Sequence, residues 1–103
     1  MMRLTLIFIS LIINISLLFS QELSGVKGIV KDSLNGETIP FAVVISLEKN
    51  IGTSANENGV FVLKGLDPGR RKLEISAVGY SKKEIFISLR AGDFRSVSIY
   101  LKS

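Results

Sequence analysis

From residue 24 onward the apolar positions of this chain recur at every second residue, and no stretch of ten or more shows helical spacing. The last third is clearest. Lys72 to Val78 places Leu73, Ile75 and Ala77 on one face and Lys72, Glu74 and Ser76 on the other. Ser81 to Arg90 lines up Ile85, Ile87 and Leu89, and Arg95 to Lys102 turns Val97, Ile99 and Leu101 inward, leaving Ser96, Ser98, Tyr100 and Lys102 outward. Half-buried strands show this alternation, one face to a core and one to water. Earlier segments predict four more strands. Gly25 to Lys31 has Val26 and Val30 on one face; Thr38 to Glu48 carries the run F-A-V-V-I-S-L; Thr53 to Ala55 is short; Val60 to Lys64 ends at Gly65.

Turn residues separate these runs. Asp32 to Glu37 holds Asn35-Gly36, a pair suited to a two-residue hairpin turn. Pro40 belongs at a strand start or an edge, because it has no amide hydrogen to give a ladder. Asn50-Ile51-Gly52, Asn56 to Gly59, Leu66 to Gly69 and Ala91-Gly92-Asp93 are the remaining reversals. Seven short strands with frequent turns predict one all-β domain, an antiparallel sandwich, over residues 21–103.

The first twenty residues follow another rule. One charge at Arg3, an apolar run from Leu4 to Phe19 and small Ser20 ahead of Gln21-Glu22 predict a helical, cleavable signal peptide over residues 1–20. An uncleaved anchor fits less well: a span wants about 20 apolar residues, and this run is broken by Thr5, Ser10, Asn14 and Ser16. The chain is therefore expected to be exported, to periplasm, outer membrane or cell surface. The mature part keeps twelve of the thirteen basic residues and all nine acidic ones, a net charge of +3. That charge is spread, whereas a nucleic-acid partner would need a basic stripe. Neither cysteine nor histidine occurs, so disulfides, a lipid-modified cysteine and thiolate or imidazole zinc sites are excluded.

Four stretches in order carry a family likeness: G-V-K-G-I-V-K-D from Gly25, G-E-T-I-P-F-A-V-V from Gly36, G-T-S-A-N-E-N-G-V-F from Gly52 and L-E-I-S-A-V-G-Y from Leu73. Together they resemble the carboxypeptidase regulatory-like domain over nearly all of residues 24–102. The resemblance implies a transthyretin-like (prealbumin-like), seven-strand Greek-key sandwich. It also implies a non-enzymatic accessory role, often as the amino-terminal extension of TonB-dependent outer-membrane receptors and other exported proteins of the Bacteroidetes type. In that frame Asn56 caps an Asx-turn, Gly59 supplies a backbone angle that a Cβ would oppose, and Phe61 returns to the core. Pro40-Phe41-Ala42 opens the second strand with Phe41 as an apolar anchor, and Tyr80 covers a sheet edge with its hydroxyl in water.

Candidate chemistry is thin. A serine triad lacks its histidine, and the hydrolase known on the transthyretin-like fold works through histidines. Asp32, Glu37, Glu57 and Asp67 read as turn and solubility residues rather than an acid–base pair. Calcium could use oxygens of Asp32, Asn35, Glu37, Asn56, Glu57 and Asn58, but the spacing matches no EF-hand loop. Arg70-Arg71-Lys72 and Lys82-Lys83 are the basic concentrations, expected near one another at strand ends. They could attract anionic lipid or polysaccharide, though a solvated rim that discourages edge pairing is the better reading. Tyr80 and Tyr100 are the outward aromatics a glycan could stack on. No catalytic, cofactor-binding or metal-ligating residue is assigned, and no cofactor is implied. The expected function is a binding and positioning domain of an exported envelope protein, its partner an envelope or outer-membrane protein in cis or in trans. The alternative is a stand-alone secreted sandwich binding glycan or matrix.

Overall fold

The computed structural model describes residues 22–103; the expected leader, residues 1–20, lies outside them. Seven strands form: β1 (Ser24–Asp32), β2 (Val43–Ser46), β3 (Ile51–Ser54), β4 (Val60–Leu66), β5 (Gly69–Ser76), β6 (Lys83–Leu89) and β7 (Phe94–Leu101). They make two sheets, a three-stranded one in the order β4-β1-β7 and a four-stranded one in the order β3-β2-β5-β6. The all-β sandwich expected from the alternation is the fold.

Between the sheets lies one core, built from the predicted inward positions: Val26 and Val30 of β1, Leu73 and Ile75 of β5, Ile87 and Leu89 of β6, Ile99 and Leu101 of β7. Phe61 and Leu63 of β4 complete it from the other edge. Gly28 makes room for the Phe61 ring. A Cβ there would meet the Val97 carbonyl oxygen, and would sit 2.9 Å from Val97 Cγ2 and 3.0 Å from Phe61 Cε1.

Several local expectations are corrected. β1 pairs with β7 in parallel, residue for residue from Gly25↔Phe94 to Asp32↔Leu101, the one departure from an antiparallel pattern. A parallel pair needs a long crossover, and here the five intervening strands supply it. Asn35-Gly36 does not join β1 to β2, which lie in different sheets. It closes a loop of its own, in which the Asp32 amide donates to the Glu37 carbonyl and the Gly36 amide to that of Asp32. β2 is only four residues long, and Ile51-Gly52 belongs to β3 rather than to a turn. Phe41 is no anchor: its φ is +62° and its side chain is 67% exposed, while the neighbouring Ala42 is buried. A non-glycine residue at positive φ cannot continue a strand, so β2 starts after it.

Candidate functional site

The outward positions of the three-stranded sheet form rows across its strands. Register places Val62 beside Lys27 and Lys27 beside Ser96. The next row is Val60, Ile29 and Ser98, and Lys31 then pairs with Tyr100. These residues point away from the core because Phe61, Leu63, Val26, Val30, Val97 and Ile99 occupy the inward parity. Val60 and Val62 remain 42% and 43% exposed. The serines opposite them are short, so the middle of the sheet is a shallow depression of about 430 Å³, lined by Lys27, Ile29, Val60, Val62, Ser96 and Ser98 among others. Phe94 borders this face at its upper end, its ring lying over Gly25, where a Cβ would come within 2.6 Å of it. An apolar floor with hydroxyls on one side and lysine at the centre can hold an extended peptide or a flat apolar surface. Sequence reasoning passed over this face. Its signal in the sequence is a valine at each of the first two off-core positions of β4.

The end of the sandwich at which β1 and β7 finish is held by Asp32. Its Oδ1 accepts from the amides of Leu34 at 2.8 Å and Asn35 at 3.3 Å, and its Oδ2 accepts from the Tyr80 hydroxyl at 2.8 Å. Tyr80 therefore does not turn its hydroxyl to water. It reaches from the β5–β6 connection to β1 and ties one sheet to the other. The Tyr80 hydroxyl, followed by the Leu34 amide, holds the Asp32 carboxyl below its ordinary value, and the same bond pushes the Tyr80 phenol up.

Two of the other proposed oxygen ligands, Asn35 and Asn56, are also engaged. Asn35 Oδ1 accepts from the Glu37 amide at 2.9 Å, and Asn56 Oδ1 accepts from those of Asn58 and Val60 at 2.9 and 3.0 Å. Asn56 is the Asx-turn cap expected, and Gly59 has the expected positive φ of +77°. Turn capping is the observed use of these groups.

The two basic segments do not meet. Antiparallel register sets Arg70 opposite Ser88 and Ile75 opposite Lys83, so the arginines and Lys82-Lys83 lie at opposite ends of the β5–β6 hairpin. Most of these charges have partners. Arg71 pairs with Glu48 at 3.0 Å, Lys72 with Glu84 at 3.3 Å, Lys82 with Glu74 at 2.7 Å, and Arg70 lies 4.4 Å above the Phe86 ring. Glu74 and Glu84 face each other across β5 and β6. Each is matched by one of those lysines, which argues for a structural lattice rather than an acid–base pair.

Comparison with known proteins agrees with this geometry. The family model described as CarboxypepD_reg-like domain matches residues 26–103. No curated protein matches the chain. Among solved structures, a chain of a type II cohesin–X-dockerin complex from Acetivibrio cellulolyticus aligns with a TM-score of 0.61 at 16% identity, over 76% of this chain and 56% of that one. A Bacteroides uniformis ATCC 8492 protein to which carbohydrate binding is ascribed aligns with a TM-score of 0.56 at 8% identity, over 76% of this chain and 40% of that one. At such identities the likeness is one of fold. The chain spans less than two thirds of either.

Proposed function

Because this chain belongs to the CarboxypepD_reg-like domain family, we propose that it is a non-catalytic binding and positioning module that holds a protein partner on the outer face of its three-stranded sheet. The observation that carries this is exposed Val60 and Val62 on edge strand β4 beside half-buried Ile29 of central β1 and two short serines of β7, an apolar surface that runs across the sheet. Exposed apolar patches of this kind mark interaction sites. The proposed setting is an exported envelope protein, with the domain as the amino-terminal extension of a TonB-dependent outer-membrane receptor or a related surface protein. Support for export is the charged, apolar and small-residue pattern of residues 1–20.

A photo-cross-linking amino acid at Val62, with the protein expressed in the periplasm, tests both parts. Capture of an envelope protein, lost on Val60→Glu, is the result expected. Adducts that form equally at Val62 and at a control position on the four-stranded sheet would overturn the docking face. The alternative, an adhesin-like sandwich binding glycan or matrix, is favoured by the hydroxyls of Ser96 and Ser98 on the same face, and a glycan array separates it from the first.

A further inference from the structure

We propose that a second site, the basic pocket where β1 and β7 end, binds a sugar-sized anion bearing hydroxyl groups: a sugar acid or a sugar phosphate. The pocket encloses about 300 Å³ and is lined by Ser33, Ser81, Lys82, Lys83, Tyr100 and Lys102. It goes beyond the docking face and stands whether or not that face holds a protein.

The pocket is built by three separate segments, held together at the carbonyls that end β7 and follow it. Lys83 Nζ donates to the Tyr100 carbonyl at 2.9 Å, the Ser33 amide to that of Leu101 at 2.9 Å, and the Ser81 amide to that of Lys102 at 2.7 Å. Each lining residue is thus anchored through its backbone or its neighbour's, and the cavity exists before any ligand arrives. Preformed cavities lose less on binding than loops that must be ordered.

Its charge is one-sided. Among the described residues, no acidic residue lines it. Lys82 turns its ammonium to Glu74 and contributes its aliphatic stem, but among the described residues neither Lys83 nor Lys102 is ion-paired with a carboxylate. Asp32, the carboxylate adjacent to Ser33, is spent on Tyr80 and on the Leu34 and Asn35 amides. Two ammonium groups without a carboxylate, one of them with donors left over after its bond to the Tyr100 carbonyl, are point charges suited to carboxylate or phosphate. Ser33, Ser81 and the apolar walls of Tyr100 and the lysine stems give hydroxyls and a ring something to meet, which a bare ion does not need. The volume is at the small end of ligand sites, about 300–1,000 Å³, so it fits a monosaccharide rather than a chain.

Amide chemical shifts of the labelled protein, titrated with glucuronate, glucose 6-phosphate, glucose and inorganic phosphate, test this. Shifts at Ser33, Ser81, Lys83 and Lys102 with either charged sugar, and none with glucose, are expected; which of the two binds tells a sugar acid from a sugar phosphate. Lys83→Gln with Lys102→Gln should weaken that binding by about fivefold or more, the scale of two exposed charge contacts. Val62→Lys on the docking face should leave it unchanged. Equal shifts with glucose, binding of inorganic phosphate as tight as that of both charged sugars, or no shift with any probe at about 10 mM, where millimolar Kd values register, would each overturn the proposal.

Discussion

Replacing Gly28 by alanine sets two effects against each other, and the structure decides between them. Glycine to alanine in extended backbone ordinarily stabilises by about 0.4–1 kcal/mol, because the unfolded chain loses freedom. Gly28 has no left-handed φ that would forbid the change. Its Cβ, however, would point into the core and meet the Val97 carbonyl, Val97 Cγ2 at 2.9 Å and Phe61 Cε1 at 3.0 Å. The carbonyl is backbone, and it belongs to the strand that pairs with β1 in parallel, so relief requires β7 to move. Overpacking of this sort costs about 1–3 kcal/mol, which exceeds the entropic gain. A net loss of about 1–2 kcal/mol is expected, and at about 4–8 °C per kcal/mol for a domain of this length the melting temperature should fall by about 4–16 °C. Thermal melts followed by circular dichroism measure it. Phe61→Leu in the alanine background removes one of the three contacts, so the two substitutions should couple by about 0.5 kcal/mol or more. An unchanged or higher melting temperature for Gly28→Ala would refute the claim that β1 and β7 close over the Phe61 ring with no room to spare.

Acid should weaken the fold through Asp32. Its charged form is favoured in the folded state, so the unfolded chain takes up the proton first; the contribution is present above the ordinary carboxylate value of about 3.9 and is lost as pH falls below it. Melts across that range should flatten in Tyr80→Phe, and an identical acid slope in that variant would show that another carboxylate is responsible. Gly59→Ala should be costlier than an exposed substitution, because φ is +77° and a Cβ would lie 2.9 Å from the Val30 carbonyl and 3.1 Å from that of Ile39. A left-handed alanine alone costs about 1–2 kcal/mol, and denaturant unfolding with a midpoint equal to the parent's would contradict this. Val62→Lys, on an exposed site, should change stability by no more than about 0.5 kcal/mol yet abolish cross-linking from a photo-reactive residue placed at Ser98 on the same face; a folded variant that still captures the partner would remove the face from consideration.

The sandwich was legible because nearly every strand has one wet face. Leu73, Ile75, Ile87, Leu89, Ile99 and Leu101 are all inside, as their alternation required. What could not be read is what depends on partners far along the chain. The parallel pairing of β1 with β7 brings Gly25 to Phe94 across almost the whole domain, and no local pattern encodes strand order. Phe41 misled for a related reason. In sequence it looks like part of the run F-A-V-V-I-S-L, but the turn that delivers Ala42 to the core forces Phe41 into a left-handed conformation and out to solvent. Tyr80 looks like a half-wet aromatic in sequence because its partner, Asp32, lies 48 residues away. The basic pocket escaped notice for the same reason: Ser33, Lys83 and Lys102 come together only once β1 and β7 are known to end side by side.

The two outer faces of the sandwich are not equivalent, and the difference bears on function. On the four-stranded sheet, Lys72–Glu84 and Lys82–Glu74 bind charges of both signs across β5 and β6, and Arg70 covers the exposed Phe86 ring. A partner landing there would have to strip water from paired charges, which costs more than their attraction returns. On the three-stranded sheet, among the described residues, Lys27 at the centre has no ion-pair partner, and the surface around it is valine, isoleucine and serine. Desolvating the middle of that face removes apolar area, and Lys27, with Lys31 and Lys64 at the same outward parity, gives it a preference for a partner with acidic groups. The four-stranded sheet also exposes Val43 and Phe86, so the two faces differ in how their charges are paired rather than in whether apolar surface is present. A domain that only spaced its neighbours apart would have no use for that asymmetry; a domain that docks would.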